Sequence, residues 1–164
     1  MSKLFWLTAF ALAGVYVTGY LSLSESSANA FLNSWEKLSL DGNAHAQCEL
    51  LTDDFEVSIK DHTTPRDAHI EGGKEDFCAH IKTISAAMAL LQPTTNVRRE
   101  NFTATRSFAH PWTADVSYTE FRSTSIPRAG IQQNTESEDK LVLVKTFGGV
   151  KIQRLESEAW LADE

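Results

Sequence analysis

The stretch FLNSWEKLSLDGNAHAQCELLTDDFEV, Phe31 to Val57, decides the architecture of this chain. Its apolar residues Phe31, Trp35 and Leu38 recur at steps of four and three, the spacing of one helix face. Asp41-Gly42 breaks that pattern as a turn. Ala44, Cys48 and Leu51 then share a face at i, i+4 and i+7, which predicts a short second helix over Asn43–Leu51. After the acidic step Asp53-Asp54, apolar and polar residues alternate from Phe55 to Ile59, the period of a half-buried strand. Two helices followed by a strand open a helical lid over a sheet.

On the N-terminal side the first helix extends back to Ser24, with Glu25 near its positive end. Ahead of it Lys3 precedes Leu4–Leu23, a run without a single charge. A signal-peptide core holds about 7–15 apolar residues and a membrane span roughly 20, and this run lies between them. Ala28-Asn29-Ala30 offers a small-x-small cleavage site. Residues 1–30 are therefore read as a signal peptide or an N-terminal membrane anchor, and residues 31–164 as one folded domain. Both readings send the domain across the membrane, to a periplasmic or extracellular location. In an oxidising compartment Cys48 and Cys78 become candidates for a disulfide between the second and third helices. Two small buried thiols are the alternative.

On the C-terminal side, residues 60–71 form a polar loop around Pro65 with a short strand over Ala68–Ile70. Gly72-Gly73 precedes the best helix in the sequence, Lys74–Leu91. Phe77, Ile81, Ile84, Met88 and Leu91 make its stripe, and Glu75 and Asp76 occupy its first turn. Pro93 ends it. Strands are expected at Val97–Arg106, Trp112–Thr124, Lys140–Phe147 and Val150–Glu156, and Gly148-Gly149 makes the last two an antiparallel hairpin. The fold class is α+β, three helices packed on a curved antiparallel sheet of mixed strand order.

These pieces in this order resemble the nuclear transport factor 2-like superfamily, and within it the polyketide-cyclase-like (SnoaL-like) branch. The residues concerned are the Trp35 helix, the Asp41-Gly42 turn, L-x-D-D-F-x-V from Leu51 to Val57, and Gly73-Lys74 opening the third helix. T-A-D-V-S-Y from Thr113 to Tyr118 and the closing G-G-V-K-I-Q-R from Gly148 to Arg154 complete them. The resemblance implies a cone-shaped half barrel with a cavity between helices and sheet, often dimeric through the sheet. It implies no single activity, since the superfamily holds isomerases, dehydratases, cyclases, hydrolases and binding modules.

Acidic residues outnumber lysine and arginine 22 to 15, for a net charge of −7, so no basic stripe is left for nucleic acid. Two isolated cysteines and five scattered histidines lack the close spacing of a zinc site, and no motif calls for a cofactor. Candidates for a pocket come from alternation along the strand starting at Trp112. Trp112, Ala114, Val116, Tyr118, Glu120 and Arg122 share one face, which its apolar start assigns to the cavity. Tyr118 would then offer a hydroxyl in an apolar pocket lined also by Trp35, Phe77 and Ile81, with Glu120 and Arg122 nearer the mouth. A half-buried core tyrosine with a rim ion pair is the plainer alternative. His69 lies where some relatives place a pocket-facing polar group, and a surface position is its alternative. Asp54 is expected to serve structure at the start of the first strand. His62, in the run Asp61-His62-Thr63-Thr64, reads as solvated loop, and none of the five histidines, His45, His62, His69, His80 and His110, has a sequence-evident acid that would fix its tautomer for catalysis.

Leu141 to Val144 is apolar on both faces of its strand, which calls for a covered outer face and makes a second copy of the chain the expected partner. Three functions compete. One is an exported or tethered module binding a small hydrophobic ligand. Another is an isomerase, dehydratase or cyclase acting on a hydrophobic carbonyl compound, with Tyr118 as donor and Glu120 or His69 as base. The last is a protein-interaction module anchored by Leu4–Leu23. An open cone favours the first two.

Overall fold

The computed structural model of the chain describes residues 23–64, 66–106, 109–127 and 130–162. Helix α1 (Glu25–Leu40) starts at Ser24, whose side chain caps the amide of Ser27 at 3.3 Å. Leu23, Ala28 and Leu32 are almost fully buried, so the folded unit begins before residue 30, and the Ala28-Asn29-Ala30 site lies within α1. The rest of the Leu4–Leu23 run lies outside the described residues. Among those residues no helix is long and apolar enough to cross a membrane.

The turn at Asp41-Gly42 uses a left-handed glycine (φ +68°). Asn43 then caps α2 (Ala44–Glu49) through the amide of Ala46 at 3.1 Å. This helix is one turn shorter than its periodicity predicts. Leu51 is fully buried, but as the first residue of strand β1 (Leu51–Asp61) rather than as part of the helix face. Tertiary pairing takes the residue because a six-residue helix gains little by extending. Strand β2 (Ala68–Gly73) returns antiparallel to β1. Helix α3 (Lys74–Leu91) follows at the expected bounds, and Gln92 closes it in the left-handed conformation ahead of Pro93.

Four long strands complete the chain: β3 (Thr94–Arg106), β4 (Thr113–Ile126), β5 (Ile131–Thr146) and β6 (Gly149–Leu161). The six-stranded sheet has the order β2-β1-β6-β5-β4-β3. It is mixed rather than wholly antiparallel, because β1 and β6 run parallel while every other pair is antiparallel. No hairpin joins β1 to β6, so nothing local imposes opposite directions on them. Gly148-Gly149 does form the β5–β6 hairpin.

The largest departure from expectation is β5, which starts nine residues before Lys140. Residues 131–139 read IQQNTESED and carry almost no apolar periodicity, yet every one pairs with β4. Their inward face is polar because it lines a cavity instead of filling a core. The core proper is apolar, with Leu32, Leu51, Phe55, Val116, Leu141, Leu143 and Ile152 buried together. Trp112, assigned by alternation to the cavity face, is instead 42% exposed just before β4. It stands in the turn, where strand alternation does not yet apply.

Cys48 and Cys78 are disulfide-bonded with Cα atoms 5.7 Å apart, joining α2 to α3. Gln47 next to Cys48 extends its amide to the carbonyl of Trp35 at 3.3 Å, so α1, α2 and α3 form one roof.

Candidate functional site

Under that roof the cone is open. A cavity of about 290 Å3 lies between α1, α3 and the concave face of the sheet, at the lower end of ligand-site volumes of about 300–1,000 Å3. Leu32 and Trp35 from α1, Phe77, Ile81 and Ile84 from α3, and Ile59 and Leu155 from the sheet supply its apolar walls.

Its polar wall is built by strand geometry. Side chains two apart point to one face, so β4 contributes Tyr118, Glu120 and Arg122, and β5 contributes Thr135, Ser137 and Asp139. The register sets them opposite one another as Tyr118 with Asp139, Glu120 with Ser137, and Arg122 with Thr135. The innermost pair adjoins the apolar core at Val116 and Leu141. The outermost, with the Arg122 side chain 33% exposed, stands toward the mouth.

The middle of this wall is an ion network. Arg99 of β3 donates through Nε to Glu120 at 3.0 Å, through Nη2 to Glu36 of α1 at 2.7 Å, and through Nη1 to Asn33 at 2.5 Å. Arg122 donates to the other oxygen of Glu120 through Nη2 at 2.7 Å and Nε at 3.1 Å. Arg99, Glu36 and Glu120 are nearly buried, and two cations balance two anions. The ring of Tyr118 stacks on Phe102, with centroids 5.7 Å apart, and the Arg99 guanidinium lies 5.4 Å from its centre. Burial pushes the Tyr118 hydroxyl far above its ordinary range, so it is a neutral donor.

Asp139 is the unusual group. Burial raises its carboxyl above the ordinary carboxylate range, and nearby Glu120 adds to that rise. The hydroxyls of Ser157 and Ser137, the latter at 2.8 Å, and the charge of Arg122 oppose it. A carboxyl shifted toward its neutral form can donate a hydrogen bond or a proton into the cavity.

Trp35, Phe77, Ile81, Tyr118 and Glu120 all line the cavity, whereas His69 does not. His69 lies exposed on β2, with Nε2 3.2 Å from Glu71. The edge strand turns it outward. His80 is the histidine of the cavity, half-buried on α3 with its ring stacked on Phe77 at 6.5 Å. Its position one residue off the apolar stripe of α3 places it at the stripe's edge, where a helix meets the cavity. Asp54 accepts from Gln153 Nε2 at 2.6 Å, which pins β1 to β6 and holds its carboxyl below the ordinary range. His62 sits between carboxylates the sequence keeps far apart, Asp67 at 3.1 Å and Glu158 at 3.2 Å, and stacks on Trp160. Those contacts raise its pKa above the usual imidazole value.

Sequence reasoning passed over Arg99, Glu36, Asp139, Ser137 and His80. Thr135, Ser137, Asp139 and Leu141 do alternate, and a reader willing to accept a polar inner face would have found three of the wall residues in that signal.

No protein-family model matches the chain, and no curated protein matches it. Solved structures do. An NTF2-like protein with a cystatin-like fold from Novosphingobium aromaticivorans superposes with a TM-score of 0.61 at 20% identity, over 99% of this chain and 92% of the other. A candidate scytalone dehydratase from the same organism gives 0.62 at 14%, over 82% of each chain. The beta subunit of the benzoate 1,2-dioxygenase from Burkholderia mallei gives 0.64 at 10%, over 82% of this chain and 89% of that one. With three helices over a six-stranded mixed sheet among the described residues, and with these neighbours, the protein has the NTF2-like, cystatin-like cone fold.

Proposed function

We propose that this protein binds a small, largely apolar molecule through a carbonyl or hydroxyl oxygen received inside the cone. One observation carries the reading: a buried Asp139 carboxyl, biased toward its neutral form, stands opposite the Tyr118 hydroxyl on the wall of an open cavity. Two such donors facing apolar walls recognise one oxygen and little else. The motif order keeps the polyketide-cyclase-like branch as the closest reading of the family. Export, either as a soluble domain or on a tether, is part of the same proposal. The Cys48–Cys78 bond supports an oxidising compartment. Leu23 and Ala28 in the core support retention of the leader as an anchor, since cleavage after residue 30 would remove them.

Acid–base catalysis is the second reading, favoured by His80 on the wall facing the sheet. Here His80 would take a proton from carbon next to the carbonyl, and the negative oxygen formed would be met by Tyr118 and Asp139. Glu120, held by two guanidinium groups, is not placed to act as the base.

Calorimetric titration of the full-length protein in detergent with acetophenone tests binding, with detergent alone as blank. Asp139→Asn combined with Tyr118→Phe is expected to weaken binding about tenfold, the loss of roughly 1–2 kcal/mol of hydrogen bonding. An unchanged affinity would overturn the assigned donors. Exchange of the acetophenone methyl protons in D2O separates the readings: catalysis lost in His80→Gln supports an enzyme, and no catalysis supports a binding module.

A further inference from the structure

The outermost pair of the polar wall differs from the middle one. Glu120 and Ser137 are satisfied by Arg99, Arg122 and Asp139. Arg122 directs Nε and Nη2 at Glu120, which leaves its Nη1 amino group without a hydrogen-bond partner among the described residues. The hydroxyl of Thr135, directly opposite Arg122 in the register, likewise has none among them. Opposed residues on one face of an antiparallel pair bring their side chains within about 5 Å. A guanidinium edge and a hydroxyl at that spacing fit the two oxygens of a carboxylate.

Charge permits an anion there. Glu36 and Glu120 are balanced by Arg99 and Arg122, and Asp139 leans toward neutrality. The net charge of −7 belongs to the whole chain; at physiological salt its distant part is screened beyond about 8 Å. The Arg122–Thr135 and Tyr118–Asp139 pairs are four residues apart, roughly 14 Å along the strands before the side chains converge.

We propose that the ligand is a small oxo- or hydroxy-carboxylic acid, its carboxylate on Arg122 and Thr135 at the mouth and its oxygen on Tyr118 and Asp139 within. The assignment rests on the cavity being a ligand site and adds the anionic end. It makes Arg122 and Thr135 specificity residues, distinct from the donors that hold the inner oxygen.

Three probes test it by calorimetry on the full-length protein: 4-acetylbenzoate, its neutral amide 4-acetylbenzamide, and acetophenone. The carboxylate is expected to bind at least tenfold more tightly than the amide, with an affinity that falls as salt is raised. Arg122→Gln should erase that preference. Thr135→Val, which touches no ion pair, should reduce the preference several-fold and serves where the arginine variant fails to fold. Equal affinity for carboxylate and amide, or a preference that survives Thr135→Val and Arg122→Gln, would overturn this inference alone. Failure of all three probes to bind would overturn it together with the ligand site itself.

Discussion

Asp139 is governed by its surroundings more than by its own chemistry. Burial raises its pKa from the ordinary 3.8, so the folded protein retains a proton that the unfolded chain has released. In the window between those two values stability therefore falls as pH rises, and above the raised value the loss is complete. Asp139→Asn keeps the shape and removes the titration. It is expected to stabilise the protein near neutral pH and to flatten the pH profile just above the ordinary carboxylate range. Thermal melts of both proteins across that range check it. A variant less stable than the parent near neutrality would mean that the native carboxylate is ionised and profitably paired.

At the scale of elements, Arg99 fastens α1 to the sheet: one guanidinium on β3 reaches Asn33 and Glu36 on the helix and Glu120 on β4. Arg99→Met would leave Glu36 and Glu120 almost buried with one cation between them, a loss of about 3–5 kcal/mol. Urea unfolding should show that loss, and a change below 1 kcal/mol would demote the network to a surface ornament. The elements themselves were legible to different degrees. Helix α3 announces both ends through Gly73, its acidic first turn and Pro93, each a local backbone effect. The polar half of β5 has no such marker, because its pairing energy lies in hydrogen bonds to β4 that amino-acid type hardly records. Tyr118 and Glu120 could be read from alternation on a strand with an apolar start. Arg99 and Glu36 meet only in three dimensions, and Asp139 was hidden by the very polarity that defines the cavity wall.

For the molecule as a whole, the sheet divides two environments. Its concave face holds the cavity, and its convex face mixes Val142 with Thr103, Ser117, Lys140 and Arg154 in a shallow groove. We predict that a second copy covers this face. Light scattering at micromolar concentration should give twice the protomer mass of 18.2 kDa after subtraction of detergent, and Val142→Lys should return the monomer mass. A monomer in the parent protein would refute the pairing.

The Cys48–Cys78 bond has a consequence for how the molecule can come apart. It closes a covalent ring of which both β1 and β2, and the sequence that joins them, are part. A protease that cuts this connection opens the ring without separating the pieces. The nicked protein would migrate as one species until reductant is added, and then as two. The carboxyl-terminal piece would hold α3 and most of the cavity's polar wall, while the amino-terminal piece would keep α1 and any membrane tether. Reduction after a cut would thus free the wall from its anchor, a release that neither cleavage nor reduction achieves at the covalent level alone.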